Sequence, residues 1–136
     1  MKSRVLDSWA ILEWISGRQP ATDAVAKLFA ESEAGTTRLL MSANAGEVYY
    51  FLRKHHSEKL AESRRELSRT LAAAIEVPAA GEIWEAALLK GRYPIAYADG
   101  FAAALARKHQ CPLVTGDAEL RSVADLELEW IGRPTA

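Results

Sequence analysis

The sequence predicts a three-layer α/β/α fold, and three observations carry the prediction. Short apolar runs at residues 4–6, 38–41, 75–77, 112–115 and 128–131 read as strands. Segments with helical spacing separate them, so successive strands are joined by helical crossovers and run parallel. Carboxylates also flank several of these runs, where open parallel sheets place their chemistry. Together these features describe a central, mostly parallel five-stranded sheet covered by helices on both faces.

Each element has a local reason. Residues 4–6 (RVL) run into Asp7 and Ser8, after which WAILEWIS has helical spacing and stops at Gly17. Thr22 or Asp23 caps the next helix, AVAKLFAESEA, which ends near Gly35 ahead of the strand at 38–41. A helix from Asn44 carries Val48, Tyr49, Phe51 and Leu52. A polar, Arg-rich helix over 57–74 follows, and the two form a hairpin standing off the sheet. Residues 75–77 are the third strand, closed by Pro78, and GEIWEAALLKG is a helix stopped by Gly91. A helix over 97–108 leads to the strand at 112–115, then a short turn or helix at 118–122 and the last strand at 128–131. No repeat, low-complexity tract or linker interrupts this pattern, so residues 1–136 read as a single domain.

Composition narrows the function classes. Hydrophobic residues make up 49% of the chain and charged residues 26%, which is ordinary for a folded soluble protein and excludes a disordered one. The formal net charge of -1 means that nucleic-acid binding has to come from a local patch. The one cysteine, Cys111, cannot form an intramolecular disulfide, and the N-terminus MKSRVLDSWAILEW lacks signal-peptide features, so a reducing cytoplasm is expected. No apolar run approaches the roughly 20 residues needed to cross a bilayer, so no membrane partner is expected.

Four acids carry the chemistry: Asp7, Glu47, Asp99 and Asp117. Singly, each has a structural explanation. Asp7 and Asp117 suit N-caps, Glu47 lies at capping-box spacing from Asn44, and Asp99 suits the dipole of the helix it opens. Capping accounts least well for Asp99, whose helix of Ala, Phe and Leu reads as buried; a buried carboxylate without a partner is costly or protonates. The conjunction is more telling. Asp7 and Asp117 end strands while Glu47 and Asp99 open helices, so all four face one C-terminal edge of the sheet. Four oxygen donors match Mg²⁺ or Mn²⁺ and not the Cys/His sites of zinc. Ser8 and Thr115 stand beside the strand-end acids, where they support a carboxylate or satisfy local backbone. Asn44 reads as a helix cap, with orientation of Glu47 or contact with substrate as the alternatives.

The segments VLDSWAIL, SANAGEVYYFL, AYADGFAAALA and LVTGDAEL, in that order over nearly the whole chain, resemble the PIN domain family, and in size the VapC-type ribonuclease toxins of type II toxin–antitoxin pairs. The resemblance implies that Asp7, Glu47, Asp99 and Asp117 form a catalytic pocket binding Mg²⁺ or Mn²⁺, with Ser8 and Thr115 in support. It further implies strand order 3-2-1-4-5, an RNA substrate, a homodimer, and a cognate VapB-like antitoxin whose tail blocks the pocket. Trp9 and Leu120 depart from the commonest form of the pattern without removing an acid. Glu119 is an additional acid nearby and reads as a solvated turn residue.

In such a pocket the metal polarises a phosphodiester oxygen and activates water, with Asp7, Asp99 and Asp117 as ligands. Glu47 then binds a second ion or takes the proton of the attacking water. Without metal, mutual repulsion should raise at least one of the four pKa values. Substrate phosphate needs cations at the rim, and Arg53, Lys54, Arg64, Arg65, Arg69, Lys90 and Arg92 are available, although such runs are usually solvated helix faces. Tyr49, Tyr50 and Tyr93 are candidates to stack on bases, with packing favoured for the first two. His55, His56 and His109 read as surface residues, and no nucleophile-elbow motif accompanies Ser8. Two other functions stay open: a nuclease or phosphatase acting on DNA or other phosphate esters, and a non-catalytic PIN-like interaction module. A dehalogenase-type phosphatase resembles a chain with Asp two residues after the first acid, where Trp9 stands. A receiver-like domain needs an acidic pair before it, where Lys2, Ser3 and Arg4 stand.

Overall fold

The computed structural model describes the backbone of residues 1–70 and 73–134, with side chains for all of these except 67–70. The elements run β1 (Lys2–Leu6), α1 (Ser8–Ser16), α2 (Ala21–Glu33), β2 (Thr37–Met41), α3 (Asn44–His55), α4 (Glu58–Thr70), β3 (Ala73–Ile75), α5 (Ala80–Arg92), α6 (Tyr97–His109), β4 (Leu113–Thr115), a 3₁₀ turn (Ala118–Ser122) and β5 (Leu128–Trp130). The sheet has the order β3-β2-β1-β4-β5, and every neighbouring pair is parallel. The expected three-layer architecture and strand order are both present.

Strand periodicity builds the layers. In β1, Val5 packs on one face and Leu6 on the other; Leu40 and Leu39 repeat this in β2, and Leu113 and Val114 in β4. Successive side chains of a strand point to opposite faces, so these pairs feed two cores. Leu6, Leu39 and Val114 meet Val25 and Phe29 of α2 and Leu52 of α3. Val5, Leu40 and Leu113 meet Leu89 of α5 and Leu105 of α6.

The helices of the second face approach closely. A Cβ added at Gly100 in α6 would lie 2.7 Å from the carbonyl oxygen of Ala86 in α5, so only glycine permits this contact. The α1–α4 face is looser. A cavity of about 330 Å³ opens there between Ile11, Trp14, Phe29, Met41, Val48 and Tyr49.

Several boundaries differ from expectation for identifiable reasons. Helix α2 begins at Ala21, ahead of the caps expected at Thr22 or Asp23. The Thr22 hydroxyl instead donates to the carbonyls of Arg18 and Glu13, tying α2 to α1, and Asp23 accepts from the Gln19 side chain. Strand β3 lies at Ala73–Ile75 and not 75–77, because the small Ala73 is buried while Ile75 and Val77, whose branching suggested a strand, are exposed. The helix expected to reach residue 74 ends at Thr70, and residues 71 and 72 lie outside the described residues. The α3–α4 hairpin does not stand off the sheet, since Val48, Leu52 and Ala61 all enter the first core. Gly91 falls inside α5 and does not stop it.

Candidate carboxylate site

Asp7 immediately follows β1 and is fully buried. Its Oδ1 accepts the Ala10 amide at 2.8 Å, so the capping role expected for it is real. Its Oδ2 accepts the Thr115 hydroxyl, and that hydroxyl oxygen in turn accepts the Asp117 amide at 3.0 Å. Thr115 therefore joins the two strand-end acids, as its position beside them suggested. Asp117 caps the 3₁₀ turn by accepting the Glu119 amide at 3.0 Å.

Asp99 is buried in the first turn of α6. Its Oδ2 accepts the Ala96 amide at 3.2 Å, half of a capping box, so capping explains this residue better than its sequence suggested. Carboxylate oxygens of Asp99, Asp117 and Glu119 all lie within 4.8 Å of one another. Glu119 is exposed, as read from sequence, yet it points into this group. Its spacing of two from Asp117 in a tight turn was the available signal. Asp7 and Glu47 fall outside that closest group, but Asp7 repels Asp99 and Asp117, and Glu47 repels Asp99.

Burial sets the protonation of the two innermost acids. It pushes Asp7 up to about 8, opposed by the bonds from Thr115 and Ala10, with repulsion from Asp99 and Asp117 adding to the rise. Burial likewise raises Asp99 to about 6, opposed by the Ala96 amide, with Asp117, Glu47 and Glu119 adding to the rise. Mutual repulsion was the expected cause; desolvation leads and repulsion follows.

The residues expected in support divide. Asn44 is not a cap. It is fully buried, donates from Nδ2 to the Leu6 carbonyl at 2.8 Å and accepts the Ser42 amide at 2.8 Å, lashing the start of α3 to the end of β1. Ser8 donates to the Asn44 carbonyl at 3.1 Å rather than to a carboxylate. These two contacts fix the first turn of α3, which carries Glu47, against the end of β1 and the start of α1. Glu47 itself is half-buried and receives the Tyr50 hydroxyl at 3.5 Å.

Three of the expected rim cations are engaged elsewhere. Arg53 pairs with Glu58 at 3.2 Å and Arg65 with Glu62 at 3.5 Å, while Arg64 lies over the Trp14 ring. Lys54, Lys90 and Arg92 are exposed, and the side chain of Arg69 lies outside the described residues. Tyr49 lines the cavity and donates to Glu62, and the Tyr93 hydroxyl accepts the Ala124 amide at 3.4 Å. His55 and His56 are exposed, whereas His109 is half-buried against Glu76 at 2.9 Å, bound by a partner that sequence spacing did not reveal.

The donor set fits a hard divalent cation. All available ligands are carboxylate oxygens, and Asp7 and Asp99 hold protons far more tightly than free carboxylates, the behaviour of acids arranged to meet positive charge. The family model of the PIN domain matches residues 4–126. The chain belongs to the PIN domain family. This PIN domain is similar in structure to VapBC2 of Rickettsia felis, solved bound to a DNA fragment from their promoter, at a TM-score of 0.71 and 15% identity over 93% of this chain and 97% of that one. It is similar to VapBC of Salmonella typhimurium, solved bound to DNA, at 0.70 and 13% over 95% and 98%. It is also similar to Mycobacterium tuberculosis VapC20, described as a sarcin–ricin loop cleaving toxin, at 0.68 and 14% over 92% and 98%. At these identities the likeness is one of fold. No curated protein matches the chain by sequence.

Proposed function

We propose that this PIN domain, acting as a single unit over residues 1–136, is the VapC-type endoribonuclease toxin of a toxin–antitoxin pair and hydrolyses RNA phosphodiester bonds with Mg²⁺ or Mn²⁺. The observation that carries the reading is the convergence of Asp7, Asp99 and Asp117 at the C-terminal sheet edge, two of them with strongly raised proton affinity, in a chain of this family. A nuclease fits this arrangement because phosphoryl transfer needs concentrated charge and little covalent help from the protein.

Asp7, Asp99 and Asp117 are the ligands in this reading, with Glu119 available at the open side. A bound divalent ion would supply Lewis-acid polarisation of the phosphodiester and a more acidic water. The chain's own part is positioning. Thr115 holds Asp7 and the Asp117 amide in one arrangement, and Asn44 with Ser8 fixes the first turn of α3 so that the Glu47 carboxylate faces the attacking water and takes its proton.

A VapB-like antitoxin is the proposed partner, on the strength of solved neighbours that are VapBC complexes. The apolar cavity lined by Trp14, Phe29 and Tyr49 also reaches Ala45 and Gly46, the chain neighbours of Glu47, and suits an apolar segment of such a partner. A homodimer is proposed too, with the exposed α5 side chains Ile83, Trp84 and Leu88 as its apolar face. Among the described residues no helix is long and apolar enough to cross a membrane, and the cytoplasm is the proposed location.

The test is cleavage of total cellular RNA, with single-stranded DNA and phosphate monoesters alongside. Mg²⁺ should support RNA cleavage, a chelator should abolish it, and Asp99→Asn should lose at least about 100-fold. Undiminished cleavage by Asp99→Asn would remove the site assignment. Equal activity on DNA would remove the RNA assignment.

A further inference from the structure

We infer that Arg121 and Trp130 form a stacking platform for an unpaired base of the polynucleotide substrate, on the β5 side of the carboxylate edge. The inference rests on the nuclease reading and adds to it a cation on the turn that a site acid caps.

Trp130 ends β5 directly opposite Thr115, whose hydroxyl joins Asp7 to the Asp117 amide. Neighbouring strands lie about 4.8 Å apart, so the indole stands one strand away from the acids. Its orientation is held by its surroundings. The indole N–H donates to the Arg133 carbonyl at 3.0 Å, and a Cβ added at Gly132 would lie 3.2 Å from the indole Cζ2. The Arg121 guanidinium carbon lies 3.7 Å from the ring centroid, against 5.3 Å for Arg64 over Trp14 and 5.9 Å for Arg65 over Tyr49. Arg121 thus lies in van der Waals contact over its ring, closer than the other two.

Arg121 also sits on the 3₁₀ turn that Asp117 caps, so the platform and a site acid share one short segment. It is exposed, and among the described residues no carboxylate pairs with it, unlike Arg53, Arg65 and Arg107. A guanidinium lying on an indole has one face covered and the other open. That open face is planar, weakly hydrated and charged, which suits a nucleobase, while its N–H edge offers donors to phosphate. An acidic site repels the phosphate chain, so an uncompensated cation beside it draws the strand in. If Arg121 merely clamped β5, its surroundings would not need to leave its charge uncompensated at this edge.

The test is fluorescence anisotropy of a labelled single-stranded oligoribonucleotide with the full chain in chelator, so that binding is read without cleavage. Arg121→Ala should weaken binding about ten-fold, and Arg121→Lys should weaken it nearly as much, because charge stays while the plane is lost. Circular dichroism and melting check that each variant is folded. RNA should quench tryptophan fluorescence in the wild type and much less in Trp130→Phe. Duplex RNA, whose bases are already stacked, should depend on Arg121 much less, through its charge alone. Wild-type affinity in Arg121→Ala or Arg121→Lys, undiminished quenching in Trp130→Phe, equal dependence on duplex RNA, or no wild-type binding would each overturn the platform. In cleavage assays Arg121→Ala should raise KM and leave kcat unchanged. Binding that depends on Arg121 without any cleavage would defeat the nuclease reading and keep the platform; cleavage with binding indifferent to Arg121 would do the reverse.

Discussion

Gly100 follows Asp99 in α6 and Gly46 precedes Glu47 in α3, so each glycine adjoins a site acid in a first helical turn, yet their surroundings are opposite. A Cβ on Gly100 would collide with the Ala86 backbone, while one on Gly46 would meet nothing within 4 Å. The α5–α6 face is closed around small residues, and it buries Asp99. The α1–α4 face holds a cavity and leaves Glu47 half in solvent. The tight face can hold a carboxylate where desolvation raises its proton affinity, and the loose face can keep one wet and accessible to a partner. One sheet edge thereby presents acids of two kinds.

The largest effect should come from the most buried acid. In the metal-free protein the folded state keeps a proton on Asp7 up to about pH 8, whereas an unfolded Asp releases it near its ordinary value of 3.8. The folded state binds the extra proton, so stability is level below about pH 4, falls as pH rises and levels off above about pH 8. Asp7→Asn should remove the slope between about pH 6 and pH 8, leave the part below about pH 6 that Asp99 contributes, and stabilise the metal-free protein at pH 8 by up to about 5 kcal/mol, read by denaturant titration in chelator. An unchanged slope would show that Asp7 is not desolvated as described. The tight face is broken next by Gly100→Ala, which should destabilise by about 1–3 kcal/mol because the collision is with backbone. On the loose face, Gly46→Ala should stabilise by about 0.5–1 kcal/mol, since alanine is the better helix former and the space is open. Equal signs for the two substitutions in urea melts would erase the contrast. Of similar size is the effect expected from Ser8→Ala, a destabilisation of about 0.5–1.5 kcal/mol from loss of the bond to the Asn44 carbonyl.

Much of the fold was legible because it is written locally. The runs RVL, RLLM and LVT are short apolar stretches without Gly or Pro, and Gly17 and Gly35 end helices with positive φ. Strand β3 slipped because it buries an alanine, which carries no strand signal. The four acids were legible through their places beside strands and helix starts. Asn44 was not, because its cap-like spacing concealed a side chain that spans 38 residues to reach Leu6. Glu119 was discounted because a lone exposed acid in a turn looks the same whether or not others converge on it.

The sequence by itself determined the alternation of strands and helices, the two-sided strands that demand helices on both faces, and the set of acids that strand ends and helix starts bring to one edge. Those follow from periods of 2.0 and 3.6 residues and from local caps, which need only near neighbours in the chain. Tertiary structure alone decided how the acids are tuned and joined: the Thr115 hydroxyl on Asp7 across 108 residues, the burial that raises the proton affinity of Asp7 and Asp99, the approach of Glu119, and the indole that Arg121 covers. The physical reason is that desolvation and Coulomb interaction depend on distance in space, and no local pattern records which distant segments a parallel sheet will place side by side.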